Sequence, residues 1–128
     1  MTVRVRTSSE GYAIDGPWEG CAAANAFLVH LVGRGFSAAT VRAYAFDVLN
    51  LARFLLDRDL AVAAVTPVEV FEWIDWQDVR RDPRCNPARR NGGSAAASTI
   101  NRRVAAVRAL FEYLVMTGIL TDTPVPSP

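Results

Sequence analysis

The chain is poor in the residues from which reactive sites are usually built. It has two cysteines, Cys21 and Cys85, whose spacing matches no metal site, and one histidine, His30, with no cysteine or acidic partner nearby in sequence. We therefore expect no metal, no cofactor and no catalytic histidine, and we expect two unpaired thiols as in a cytoplasmic protein. No glycine-rich phosphate loop, Ser/His/Asp order or paired-carboxylate site stands out either.

Long apolar runs are also missing. No stretch approaches the roughly 20 apolar residues that cross a bilayer. The segment from Met1 to Glu10 has two arginines and lacks the apolar core of a signal peptide. These absences predict a protein without a membrane partner. With 51% hydrophobic and 21% charged residues, the 128-residue chain is suited to one folded domain.

Lysine is absent, so all 14 basic residues are arginines. The net charge is only +1, but the segment from Asp78 to Arg108 contains eight arginines and two acids, a local charge of +6. Such asymmetry can mark contact with nucleic-acid phosphates. A solvated loop followed by an ordinary polar helix face would give the same pattern, so charge alone leaves both interpretations open.

Apolar spacing predicts an all-α fold, a compact bundle of four to five helices. We expect a flexible lead-in over residues 1–16, in which Val3 to Val5 can form a short extended piece, and a helical domain over 17–120. We also expect a basic loop at 78–97 and the start of an interdomain linker at 121–128, where three prolines exclude a helix. The first helix is predicted to begin near Pro17, a residue tolerated in the first turn.

Capping residues predict where the other helices begin. Ser37 can cap the second helix, Thr66 with Glu69 forms a capping box for the third, and Ser98 can cap the fourth. The second and fourth helices repeat apolar residues in steps of four and three, which predicts one shared core. Its predicted members are Val48, Leu55, Val104, Val107, Phe111 and Leu114. The third helix is predicted to bury Val68, Phe71 and Ile74, with Val70 as a further candidate. Its tryptophans, Trp73 and Trp76, are expected to pack in the core or between helices, the alternative being a surface patch for a neighbouring protomer.

Two motifs in this order resemble a known family. The second helix carries Thr40-Val41-Arg42-Ala43-Tyr44 followed by Asp47. The fourth helix carries Ser98-Thr99-Ile100-Asn101-Arg102-Arg103 and later Phe111-Glu112-Tyr113-Leu114. The helix capped by Thr66 and Pro67 lies between them in sequence. Over roughly residues 21–124 this resembles the N-terminal core-binding domain of tyrosine recombinases, the phage-integrase and Xer-like group. The resemblance implies a SAM-like helical bundle that forms one jaw of a clamp around duplex DNA.

The resemblance also implies what the chain does not do itself. Catalysis belongs to a C-terminal domain beyond Pro128, so we expect no enzymatic activity here, and none of Tyr12, Tyr44 and Tyr113 is the family's nucleophile. The implied partners are double-stranded DNA at a recombination half-site, that catalytic domain, and other recombinase protomers. The predicted DNA contacts are Thr40, Arg42, Tyr44, Thr99, Asn101, Arg102, Arg103 and Arg108, with Arg84, Arg89 and Arg90 of the loop as further candidates.

Helical geometry supports this assignment but does not require it. A helical wheel places Arg102 opposite the core of the fourth helix, where arginine could read guanine or grip phosphate. The alternative is that Arg102 and Arg103 are solvated and that Tyr44 partly packs in the core. If the arginines contact DNA, alanine at both is expected to weaken binding while leaving the melting temperature nearly unchanged. A second functional hypothesis is a protein–protein interaction module whose aromatic third helix assembles protomers.

Overall fold

The computed structural model describes residues 2–9, 11–77 and 97–127. Within these ranges the chain forms a β-hairpin, four α-helices and one 3-10 turn at Val62–Ala64. The strands are β1 (Arg4–Ser8) and β2 (Gly11–Asp15), and the helices are α1 (Cys21–Gly33), α2 (Ala38–Asp57), α3 (Pro67–Gln77) and α4 (Ala97–Met116). Apart from Ala97, the predicted basic loop lies outside the described residues, and so do its arginines Arg84, Arg89 and Arg90.

The hairpin corrects the prediction of a strictly all-α fold behind a flexible lead-in. The strands β1 and β2 pair antiparallel with Val5 opposite Ile14, and Val3 and Ile14 are each only 2% exposed. The side chain of Asn25 in α1 accepts a hydrogen bond from the Ile14 N–H (2.7 Å) and donates one to the Ile14 carbonyl (3.0 Å). The short extended piece expected at Val3 to Val5 overlaps β1, but the alternation there was too short to predict its pairing into a hairpin. Burial against the helices stabilises the hairpin.

The first helix begins four residues later than predicted. Trp18 is buried at 4% exposure, and its carbonyl accepts a hydrogen bond from the N–H of Cys21, the first residue of α1. Gly20 lies directly under the Trp18 ring, where an added Cβ would approach the indole to 2.5 Å. The segment after Pro17 is therefore a packed turn that carries the tryptophan into the core, rather than a helical turn.

The core predicted between the second and fourth helices is confirmed. Val48 and Leu55 of α2 and Val107, Phe111 and Leu114 of α4 are each at most 1% exposed, and half-buried Val104 packs against this cluster. The step of four and three therefore identified the faces of α2 and α4 correctly, because residues at that spacing lie on one side of a helix.

The helix ends follow the predicted capping chemistry with one exception. The Ser37 hydroxyl accepts a hydrogen bond from the Thr40 N–H, and the carboxylate of Glu69 accepts one from the Thr66 N–H (2.8 Å). Ser98 does not cap α4, because α4 begins one residue earlier, at Ala97.

The buried face of α3 agrees with the prediction only in part. Val70 and Trp73 are buried, and Ile74 and Trp76 are half-buried against the core, as predicted. Val68 and Phe71 were wrongly predicted to be buried, because they are 63% and 59% exposed. Apolar residues occupy both candidate faces of this 11-residue helix, so spacing could not choose between them. The Trp73 indole N–H donates to Asn50 Oδ1 of α2 at 2.9 Å, which orients the helix with Trp73 inward.

The residues after α4 pack along the helices. Val125 is 5% exposed within the core, and the Arg108 Nε–H donates to the Pro126 carbonyl at 3.2 Å. This C-terminal tail falls in the segment predicted to begin a linker. Within it Pro124 and Val125 are buried, whereas Thr121, Asp122 and Pro126 are exposed.

Candidate functional site

Several of the predicted site residues line a concave surface between α2 and α4. This α2–α4 groove encloses a cavity of about 370 Å³. Its lining comprises Ala39, Thr40, Ala43, Tyr44 and Asp47 of α2 with Arg102, Ala105 and Ala106 of α4. Residues three and four apart on a helix share a face, so each helix contributes one stripe. The four alanines leave space between the helices, and the polar side chains supply the chemistry.

Thr40 and Tyr44 are held in place on the α2 side of the groove. The Ser37 hydroxyl donates to Thr40 Oγ1 (2.9 Å), so the helix cap also orients the threonine side chain. The ring of Tyr44 contacts Phe27 and Phe36 edge-on, with centroid separations of 5.9 and 6.0 Å. Tyr44 is half-buried, as the packing alternative for this residue predicted. Its position on the groove lining is compatible with both packing and contact.

Arg102 projects from the α4 side and is bonded to α2. Its Nη2 group donates to Asp47 Oδ1 at 2.7 Å, the short distance typical of a charge-assisted hydrogen bond. The side chain of Asp47 is 4% exposed, whereas that of Arg102 is 57% exposed. The helical wheel was right that Arg102 lies away from the apolar core, but α2 approaches this side of α4, so the guanidinium is anchored rather than simply solvated.

The neighbouring arginine is anchored in the same way. The Arg103 Nη1 group donates to Gln77 Oε1 of α3 at 3.2 Å, and its Nε lies 4.0 Å from Asp47 Oδ1. Asp47, Gln77, Arg102 and Arg103 thus form one polar cluster that joins three helices. Within the part of the chain that the structure describes, Asp47 and Gln77 are the two polar residues that are buried, and both contact this arginine pair.

The polar cluster changes one expectation from the sequence. Removing both arginines would leave the Asp47 carboxylate buried without a described partner, and breaking a buried pair in this way costs about 3 kcal/mol. Alanine at Arg102 and Arg103 should therefore lower the melting temperature, not leave it unchanged. Any test of these residues in binding needs variants that do not strand the carboxylate.

The remaining predicted contacts are not gathered in the groove. The Arg42 guanidinium lies over the Phe46 ring, 4.8 Å from its centroid, and Arg108 bonds the tail. Thr99 is half-buried and Asn101 exposed in the first turns of α4, and neither lines the groove. The structure therefore brings Thr40, Tyr44 and Arg102 together, and places Arg103 beside them in the polar cluster.

Asp47 is the residue whose role sequence reasoning missed, although it forms part of the motif on α2. A signal was present: Tyr44, Leu51 and Phe54 lie three residues before, four after and seven after it, on the same helix face. Leu51 and Phe54 are both buried. A carboxylate in an apolar stripe indicates a buried partner of opposite charge, and the arginines of α4 were the available candidates.

Other kinds of site find no support within the described ranges. No group of three or more histidine, cysteine or acidic residues there could hold a metal ion. Burial raises the pKa of the Cys21 thiol, whose Sγ donates to the Gly16 carbonyl, so Cys21 is not an activated nucleophile. Within residues 2–9, 11–77 and 97–127, no helix combines the length and the apolar character needed to span a bilayer.

Comparison with known families decides the identity of the fold. The family model for the phage integrase N-terminal SAM-like domain matches residues 24–118, well over half of the chain. The chain belongs to this family. Its SAM-like domain contains the whole α2–α4 groove and the polar cluster, and the family indicates a tyrosine recombinase. The hairpin and the C-terminal tail lie outside the matched range. No curated protein and no solved structure matches the chain.

Proposed function

We propose that this SAM-like domain binds double-stranded DNA across the α2–α4 groove. It acts as one jaw of a clamp on a recombination half-site in the cytoplasm. Integration or recombination chemistry belongs to a separate C-terminal catalytic domain, and this domain is not itself an enzyme. The observation that carries the proposal is the placement of Arg102, an exposed guanidinium anchored at the groove, within a domain of the integrase family.

The chemistry of the groove suits a duplex lying across its mouth. A cavity of about 370 Å³ has the size of a small-molecule pocket and cannot admit a double helix. Side chains on the rim can still reach a DNA backbone or the edge of a base. Arginine offers five N–H donors that suit phosphate and guanine, and the hydroxyls of Thr40 and Tyr44 can donate to phosphate oxygens.

Charge supports the same surface. The segment with a local charge of +6 ends within α4, the helix that carries Arg102 and Arg103. Neutralising phosphates with arginine releases condensed counterions, so affinity should fall steeply as salt rises. Phosphate contacts would position the domain, and contacts to base edges would supply any sequence preference.

The test is a fluorescence-anisotropy titration of a labelled duplex at several salt concentrations. The double variant Asp47→Asn with Arg102→Gln removes both charges, keeps the net charge and strands no carboxylate. We expect it to weaken binding and to flatten the slope of log affinity against log salt by about one unit.

A matched control separates the groove from net charge. Arg53→Gln lowers the net charge by removing an exposed arginine of α2 that does not line the groove. If binding followed net charge, Arg53→Gln would weaken it more than the double variant does, and the proposal predicts the reverse order. Wild-type protein that bound the duplex with no dependence on salt, or did not bind it, would refute the proposed function.

One observation favours a second candidate, assembly of recombinase protomers through α3. The side chains of Val68 and Phe71 share a face three residues apart and are largely exposed. A protein interface would bury such a pair. Sedimentation equilibrium of the wild type and of Phe71→Ser tests this: a self-association lost in the variant supports it, and a monomeric wild type counts against it.

A further inference from the structure

We propose that Asp47 is a positioning residue that holds the Arg102 guanidinium in one orientation and so determines how well the domain discriminates between DNA sequences. This inference rests on the proposed DNA-binding function and goes beyond it. It assigns separate roles to the two charges: Arg102 contacts DNA, and Asp47 acts through Arg102.

The placement of Asp47 is hard to explain by stability. Its carboxylate is 4% exposed in a helix face that otherwise carries apolar residues. Removing a carboxylate and a guanidinium from water is costly, and apolar residues of similar volume are often as stable or more stable at such positions. Gln77, the other buried polar residue among those described, contacts Arg103. Both buried polar side chains are thus directed at the same arginine pair.

Anchoring matters because of how arginine reads DNA. The guanidinium fork recognises guanine through two parallel hydrogen bonds, which need a defined orientation. A fork already fixed in the free protein loses less conformational entropy on binding and cannot easily turn toward a wrong base. The bond of 2.7 Å between Arg102 Nη2 and Asp47 Oδ1 supplies that restraint from the adjacent helix.

Two explanations of how Asp47 affects DNA binding, through its charge or through positioning Arg102, predict different affinity ratios when Asp47 is replaced. A negative charge near DNA opposes binding, so by charge alone Asp47→Leu should tighten binding to every duplex without changing the ratio between them. Under the positioning hypothesis, Asp47→Leu lowers the ratio of affinities for preferred and shuffled duplexes. Under the same hypothesis, the affinity of Asp47→Leu for the shuffled duplex is unchanged or increased, so the ratio falls because binding to the preferred duplex weakens.

The experiment begins with a pool of duplexes carrying a randomised core of about 20 base pairs, from which the wild type selects a preferred sequence. Anisotropy then gives the affinity ratio of the preferred duplex to a shuffled one. Since a bidentate arginine–guanine contact is worth roughly tenfold or more in discrimination, we expect Asp47→Leu to lower the ratio about tenfold. Asp47→Asn keeps an acceptor for Arg102 and should retain part of the ratio.

A double-mutant cycle shows whether Asp47 acts through Arg102. With Arg102 replaced by glutamine, the variants Asp47→Asn/Arg102→Gln and Asp47→Leu/Arg102→Gln, neither of which strands a carboxylate, should have the same ratio, because the residue to be positioned is gone. An undiminished ratio in Asp47→Leu, or an equal fall in the Arg102→Gln background, would overturn the assignment. A purely structural role would lower the melting temperature of Asp47→Leu and leave the ratio intact.

A measurement without DNA separates failure of this inference from failure of the proposed function. In the free protein, the Nε–Hε resonance of Arg102 should be resolved and show restricted motion by NMR relaxation. It should become mobile in Asp47→Leu. A mobile Arg102 in the wild type refutes positioning even if DNA binds. A wild type that selects no duplex refutes the proposed function, whatever the state of the arginine.

Discussion

Replacing Ile14 with alanine tests whether the β-hairpin belongs to the cooperative core. The Ile14 side chain is 2% exposed and lies in one cluster with Val3 and residues of α1 and α2. Loss of a fully buried isoleucine side chain costs 2–5 kcal/mol, so we expect about 3 kcal/mol. Because alanine keeps its backbone groups, the two hydrogen bonds to Asn25 persist and the loss reports on side-chain packing alone.

This cost is large enough to measure by two methods. For a domain of this size, about 3 kcal/mol corresponds to a melting temperature roughly 10 °C lower. The urea midpoint should fall by about 1–2 M with an unchanged slope. Arg6→Ala is the matched control, since Arg6 is exposed on β1 and pairs with Ala13 in the same hairpin. An Ile14→Ala midpoint equal to that of Arg6→Ala would show that the hairpin does not contribute to the core.

Two further predictions concern the capping box of α3 and the C-terminal tail. Hydrogen bonds from the Thr66 hydroxyl and N–H lower the pKa of Glu69, so its stabilising contribution is present above the unfolded pKa and is lost as pH falls through the folded value. Glu69→Gln should therefore have a lower urea midpoint than the wild type at pH 7, and the gap should close as pH falls through the lowered folded pKa of Glu69; a gap that persisted below it would contradict this linkage. Arg108→Ala removes the bond to the Pro126 carbonyl and should speed hydrogen exchange of the Val125 amide about tenfold with little change in melting temperature. Equal exchange rates would mean that Arg108 does not hold the tail.

Sequence alone predicted the parts of the fold that depend on local periodicity and capping. Helices α2 and α4, the cap at Ser37 and the core around Phe111 follow from spacing and from side chains that bond their own backbone. The hairpin and the face of α3 could not be predicted in this way. A five-residue strand becomes stable only when Ile14 meets the helices, and Trp73 turns inward because Asn50 of another helix accepts its N–H.

Only some members of the candidate site were named from the sequence, and their arrangement was not. Thr40, Tyr44 and Arg102 were identified from the motifs, and the structure brings them to one groove. Their grouping depends on contacts between α2 and α4, which no local pattern encodes. Arg42 and Arg108 lie elsewhere because each contacts a different group: Arg42 lies over the Phe46 ring, and Arg108 donates to the Pro126 carbonyl.

The polar cluster has a consequence for how and when the site comes into existence. Asp47 and Arg102 are 55 residues apart in sequence, and Gln77 and Arg103 are 26 apart. Contacts across such separations form late, because the chain between them must first lose its freedom. A nascent chain that has completed α2 but not α4 has no groove. Detachment of α4 from the folded domain would separate Arg102 and Arg103 from Asp47 and would open the groove at the same time. The capacity to bind should therefore appear and disappear with global folding, so that unfolded or partly folded copies do not compete for DNA through this surface.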